Sequence, residues 1–348
     1  MNQQGERAVP TLTYLERQPA FSIGPENEED ESAPSLATAA LQAPDRHAAK
    51  TATDTAASAA ALVPQGGLFW DGRVDTLQQQ AIQPLLNPVE MGNPNADAVA
   101  AKLRGAPYAQ RFAQLFGSAI LRQPRLLISE AMFAVARYQV EDPSFHPYSS
   151  KFDDWLEGKA RLTPAELRGY RLFNDPAKAN CAGCHLDRPR PDGTPPRFTD
   201  SQFEALGVPR NPALTFNREP RHFDLGLCGP LRQDLSAETQ YCGMFLTPTL
   251  RNVATRHAFF HNGAFHTLRQ VLDFYAFRDV DPAKVYPRGA DGRVAAFNDL
   301  PARYRGNIDV TDPPFDRKLG EKPAISEQDE RDIIAFLHTL TDGYKPGR

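Results

Sequence analysis

Cys181-Ala182-Gly183-Cys184-His185 is the stretch on which the reading of this chain turns. Two thiols separated by two residues can add across the two vinyl groups of one porphyrin. The histidine after the second thiol is placed to give an imidazole nitrogen to the iron. A zinc or thiol-redox Cys-x-x-Cys is the alternative, but it calls for a second ligand pair at a usual spacing, and none lies nearby. The motif therefore predicts covalent haem c anchored on Cys181, Cys184 and His185.

Upstream of the motif, Thr163-Pro164-Ala165-Glu166 sets an N-cap threonine, a proline at the first helical position and a capping-box glutamate in order. Leu167, Tyr170, Arg171 and Phe173 carry that helix almost to the cysteines. At the far end Ser326 can cap a helix whose Ile333, Ile334, Phe336, Leu337 and Leu340 mark one apolar stripe. A helix shortly before Cys-x-x-Cys-His and an amphipathic helix at the carboxyl end resemble the two pieces that cross in a cytochrome c fold.

The chain has 348 residues, of which 41% are hydrophobic, enough for two ordinary cores. A formal charge of -4 leaves no basic footprint, which argues against a nucleic-acid partner. No apolar run approaches the roughly 18 residues of a transmembrane span. The 31 prolines predict long ordered loops. Residues 24 to 65 read as a linker, with the acidic cluster Glu26-Asn27-Glu28-Glu29-Asp30-Glu31 ahead of an Ala/Thr/Ser-rich tract. Beyond it, Ala98 to Leu103, Tyr108 to Phe116 and Pro124 to Val140 are the clearest helical stretches of a small domain ending near Phe152.

Three further segments narrow the reading. They are Gly67-Leu68-Phe69-Trp70-Asp71-Gly72-Arg73, then Gln80-Ala81-Ile82-Gln83-Pro84-Leu85-Leu86-Asn87-Pro88-Val89-Glu90-Met91-Gly92, then Thr247-Pro248-Thr249-Leu250-Arg251-Asn252 followed by Phe260-His261-Asn262-Gly263. With the haem motif, and in this order, they resemble the bacterial di-haem cytochrome c peroxidase family and its relative MauG, which oxidises side chains of a partner protein. The resemblance runs from about residue 7 to the carboxyl end. It implies a mainly α fold of two cytochrome c-like helical domains with long loops, a peroxidatic haem in the first and an electron-transferring haem in the second.

Residue by residue, the resemblance assigns Cys181, Cys184 and His185 to the second haem and Trp70 to the indole between the haems. It puts Gln80 and Glu90 on the distal side of the peroxidatic haem, where Glu90 would move a proton from one peroxide oxygen to the other. Without the family, Trp70 reads as a core aromatic and Glu90 as a solvated loop acid. The family's first Cys-x-x-Cys-His lies upstream of where this chain begins, and none occurs here. Arg7-Ala8-Val9-Pro10-Thr11-Leu12 resembles the segment after that first motif. The amino-terminal domain therefore reads as incomplete: 1–65 a remnant of the first haem domain plus linker, 66–155 the helical remainder, 156–348 the cytochrome c domain. Haem c attachment places the protein in the periplasm, and since Met1 to Arg7 show no signal peptide, an upstream start is the favoured explanation.

In the family the sixth ligand of the second haem comes from the helix after Phe-His-x-Gly, and counting along it reaches Tyr275. Family peroxidases typically carry methionine there and MauG-like members tyrosine. A phenolate is a hard donor that favours ferric and higher oxidation states, whereas a thioether favours ferrous iron. Met244, the one methionine in the haem domain, is the alternative ligand, and Tyr275 as a buried aromatic is the plainer reading. His261 lines the haem region by family position, or is a core histidine held by a backbone carbonyl. Cys228 and Cys242 flank a short loop, and a bridge there would contribute about 3 kcal/mol in an oxidising compartment. Family members also bind calcium between the domains through backbone carbonyls around positions equivalent to 256–258, but the asparagine expected near Tyr14 is missing. The partners implied are hydrogen peroxide and an electron-donor or oxidised protein, in a chain whose relatives are often dimers. A single-haem electron carrier, or an inactive remnant, is the rival from another functional class.

Overall fold

The computed structural model describes residues 4–24 and 62–346, so Met1 and most of the linker tract fall outside the described residues. Within them the chain is mainly helical, with two short antiparallel ladders. The helices are α1 (Leu77–Leu86), α2 (Ala96–Arg104), α3 (Ala109–Phe116), α4 (Pro124–Glu141), α5 (Lys151–Leu156), α6 (Pro164–Phe173), α7 (Leu268–Phe277) and α8 (Glu327–His338). Strand β1 (Ser22–Gly24) pairs with β2 (Val63–Gln65), and β3 (Phe203–Glu204) with β4 (Phe245–Leu246). No described helix is long and apolar enough to cross a membrane.

The three helical stretches read from periodicity correspond to α2, α3 and α4. α1 was not among them, because Pro84 sits inside it. Thr76 and Gln79 close a capping box at its start, and the Asn87 N–H reaches the Gln83 carbonyl at its end. Val99, Ala100, Ile128, Ala131 and Met132 form a small core among α1, α2 and α4.

A second, larger core lies under the haem motif. It includes Phe152, Tyr170, Phe173, Phe198 and Phe336, with Phe173 and Phe336 ring centroids 5.1 Å apart. Phe152, placed by the sequence at the end of the first domain, is fully buried in this core, and its N–H donates to the Thr339 carbonyl at 3.0 Å. Packing thus joins α5 to the haem-motif side.

α6 and α8 are the helices with the capping signals, and both form their boxes, Thr163 with Glu166 and Ser326 with Asp329. They cross with their backbones almost in contact. A Cβ at Gly169 would lie 1.9 Å from the Asp332 carbonyl oxygen, so only glycine fits. Arg168 holds the same crossing from outside through a two-pronged pair with Asp332 at 2.7 and 2.8 Å. Gly169→Ala must push the helices apart, and we expect a loss of roughly 1–3 kcal/mol, read as a lowered Tm in thermal unfolding.

Glu330 on α8 is fully buried. Burial pushes its carboxyl from 4.5 up to about 7, although the Arg269 guanidinium lies 2.8 Å away. The raised value means that the folded state holds an extra proton, so this contribution is complete below about pH 4.5 and is lost as pH rises through 7. Glu330→Gln should flatten the fall in Tm over that window; an unchanged profile would show that the carboxyl stays ionised.

Candidate functional site

The haem motif begins with a backbone device. Asn180 adopts a left-handed conformation (φ 46°), which asparagine tolerates better than most residues, and Cys181–Gly183 follow as one turn of 3-10 helix. The N–H groups of Cys184 and His185 both return to the Cys181 carbonyl, at 3.2 and 2.8 Å. This winding brings Cys181, Cys184 and His185 to the wall of one cavity of about 510 Å³. Its size falls within the range of small-molecule and cofactor sites. Burial pushes the Cys181 thiol up to about 12, so the sulfur sits as a neutral thiol against an apolar wall. A thioether, also neutral, suits the same surroundings.

His185 is oriented from behind. Its Nδ1 lies 2.9 Å from the Phe198 carbonyl oxygen, and donation there fixes the tautomer in which Nε2 is the nitrogen that could ligate a metal. Tyr275 reaches the same cavity from α7, whose start is set by the Thr267–Gln270 capping box. Burial raises its phenol well above the ordinary range, and the neighbouring Cys184 and Cys181 raise it further. Phe315 stacks on the phenol ring at 5.3 Å, which fixes the plane of the ring. Met244 does not line the cavity. Of the two candidate sixth ligands, the fold brings Tyr275 to the cysteines.

Trp70, Gln80 and His261 line this cavity as well. The Trp70 indole N–H donates to the Ala8 carbonyl at 2.8 Å, and its own carbonyl accepts from Leu246 N–H at 2.9 Å. His261 is buried and lies flat on Phe245 at 3.5 Å, with Nε2 3.7 Å from an Asp299 oxygen. Its main chain, rather than its ring, accepts from Ala8 N–H at 2.7 Å. Glu90 is placed apart from this group: it sits on an exposed turn after α1, where Asn87 donates to its carboxylate at 2.6 Å. Cys228 and Cys242 are bridged. In the stretch considered for calcium, His266 Nδ1 meets the His257 carbonyl oxygen at 2.9 Å, and Arg256 donates to the Val9 carbonyl.

Two buried charge clusters escaped the sequence reading. Arg7 bridges Asp224 (2.6 Å) and Asp71 (2.8 Å), next to Trp70. Arg251 pairs with Asp153 at 2.7 Å across 98 residues and lines the cavity. Arg251 falls within a quoted motif, yet no spacing rule pairs it with Asp153. An arginine between Leu250 and Asn252, close to Phe245, Leu246 and Val253, is the one signal available, and it names no partner.

Residues 2–161 match the family described as di-haem cytochrome c peroxidase. The methylamine utilization protein MauG of Paracoccus denitrificans is 37% identical over 310 residues, covering 82% of this chain and 73% of that protein. The chain belongs to this family. A cytochrome c551 peroxidase of Nitrosomonas europaea is 31% identical over 211 residues, covering 59% of this chain and 53% of the relative. The solved structure of the diheme peroxidase BthA from Burkholderia thailandensis superposes with a TM-score of 0.80 at 36% identity, covering 98% of this chain and 73% of that one. The chain thus spans between about half and three quarters of the length of these relatives.

Haem c is the cofactor that the family implies, and the donor set fits it. Two thiols, an imidazole with its second nitrogen already engaged and a phenol from the facing helix share one largely apolar cavity. Tyr275→Phe should leave the haem covalently attached but remove any tyrosinate charge-transfer absorption and its EPR signature. An unchanged spectrum would exclude Tyr275 as the ligand.

Proposed function

We propose that this protein is a haem c oxidoreductase of the periplasm that moves electrons between the haem held by Cys181, Cys184 and His185 and Trp70, in support of peroxide-dependent oxidation. The observation that carries this reading is the convergence of the cysteines, His185, Tyr275, Trp70 and Gln80 on one cavity. When bound, haem supplies one-electron redox chemistry.

The chain's own residues do the rest. Cys181 and Cys184 fix the cofactor, and His185 is held by Phe198 so that its ligand nitrogen cannot turn away. Tyr275, on the same cavity wall, would be a further protein ligand to the group. Trp70 is an oxidisable indole whose N–H is given to a carbonyl, a group that cannot take its proton, so it can lose and regain an electron with the proton in place. Gln80 offers an amide to an oxygen substrate. Glu90 carries the proton that peroxide reduction needs, two electrons and two protons turning hydrogen peroxide into two waters. The partners are hydrogen peroxide and a protein that gives up electrons, either as a donor or as an oxidised substrate.

The exposed position of Glu90, away from Gln80, favours one second reading: a single-haem electron carrier without peroxide turnover. Three measurements separate the two. Haem per chain from a pyridine haemochrome assay, made on the product of the natural gene with whatever coding sequence lies upstream of Met1, should exceed one if a peroxidatic haem is present. Trp70→Phe should slow electron transfer, and Glu90→Gln should lower peroxide turnover by roughly 10²-fold or more. Wild-type turnover in Glu90→Gln would remove the proposed proton carrier, and no turnover in any form would leave the carrier reading.

A further inference from the structure

The loop closed by the Cys228–Cys242 bridge holds none of the groups proposed to carry electrons or protons, although Arg232 within it and the stems on either side of it hold the Trp70 segment. Its tip carries Arg232, buried while its neighbours Leu231, Gln233 and Asp234 are exposed. The Arg232 guanidinium donates to the carbonyls of Asp71 and Gly72, the two residues after Trp70, at 3.0 and 3.1 Å. The remaining donors are taken up by Asp234 at 2.9 and 2.8 Å, and the Phe21 ring lies under the guanidinium at 3.7 Å. Each nitrogen of the fork is thus engaged, as a planar cation allows and an ammonium does not.

Both stems of the same loop hold the segment too. Before Cys228, Asp224 takes Arg7, which also pairs with the fully buried Asp71. After Cys242, Leu246 donates to the Trp70 carbonyl at 2.9 Å. At the neck of the loop, Leu225 N–H reaches the Gly229 carbonyl and Gly243 N–H reaches the Leu225 carbonyl, so the two stems run as one unit beside the bridge. The segment they grip is tight and specific: Gly72 has φ +60°, and a Cβ there would come within 2.8 Å of the Phe203 ring.

We infer that the disulfide-closed loop 228–242 is a clamp that fixes the indole of Trp70, with Arg232 as its positioning residue. The functional meaning of the clamp rests on the reading of Trp70 as an electron relay. Electron transfer falls steeply with distance and orientation, so a relay between redox sites needs a backbone that does not wander. Arg232 supplies that through two carbonyls rather than through any contact with the reacting group. The bridge ties the two ends of the loop together, which limits the loop motion that could reach those carbonyls.

The test is hydrogen exchange by mass spectrometry on the haem-loaded protein, together with electron-transfer kinetics. In Arg232→Gln, amides of the peptide over residues 66–74 should exchange roughly tenfold faster, while α6 and α8 keep their protection. Arg232→Lys should give a partial effect, and Cys228→Ser/Cys242→Ser should reproduce the local change without touching Arg232. Unchanged exchange over 66–74 overturns the clamp. So does exchange that quickens everywhere, which would mark Arg232 as a general stabiliser. Electron transfer should slow in Arg232→Gln in the same direction as in Trp70→Phe. If Trp70→Phe transfers electrons at the parental rate while the local exchange effect persists, the clamp stands and the relay reading fails.

Discussion

The near-contact of two helix backbones at Gly169 is the constraint on which the rest of the haem-motif half depends. With no side chain between them, α6 and α8 approach until the Asp332 carbonyl fills the space a methyl would take. That distance lets Phe173 and Phe336 meet edge to face, and lets Phe152, Tyr170 and Phe198 close around them. The chain leaves α6 at Asn174 and turns into the cysteine motif soon afterwards, so the position of the crossing sets the position of the thiols. Phe198, part of the same core, is also the residue whose carbonyl orients His185. One close approach therefore reaches both the cysteine pair and the imidazole of His185.

On the other side of the cavity the organising force is electrostatic. Arg7 with Asp71 and Asp224, and Arg251 with Asp153, are ion pairs with almost no exposed surface. Such pairs add little net stability, since desolvation offsets much of their attraction, but removing one partner strands a buried charge at a cost of about 3–5 kcal/mol. Their effect is to specify one arrangement. They tie the amino-terminal stretch around Arg7 and Ala8 to Trp70 and to the loops that come after the haem motif. Trp70 inherits its place from this network: its indole, its carbonyl and the carbonyls after it are all hydrogen-bonded to segments distant in sequence.

Much of the fold could be read beforehand where a local rule operates. Thr163 with Glu166 and Ser326 with Asp329 announce helix starts because a side chain three residues away satisfies an orphan N–H. α2 buries Val99 and Ala100 on one side, and α4 opens on a proline in its first turn, the position where proline is tolerated. α1 escaped because its interior proline reads as a break, although the capping box at Thr76 and the packing of Ile82, Leu85 and Leu86 against α4 residues hold it helical. The packing of Phe152 could not be read for a different reason. Sequence shows a pause in pattern there, but which core an aromatic ring joins is decided by what surrounds it, and here that is Tyr170, Phe198 and Phe336.

The sequence by itself determined the residue types at the motif: two thiols and an imidazole at a spacing that one porphyrin can use. That is a property of residue type and short-range order, whereas the phenol of Tyr275 was singled out by the family resemblance. Only the tertiary structure decided which groups share a cavity. It brought Tyr275 and not Met244 to the cysteines, put Trp70 and Gln80 on the same wall, and left Glu90 on an exposed turn. It also joined Arg251 to Asp153 and Arg232 to the backbone beside Trp70. The reason is that a contact between residues far apart in the chain depends on how every intervening element packs, and no local pattern encodes that sum.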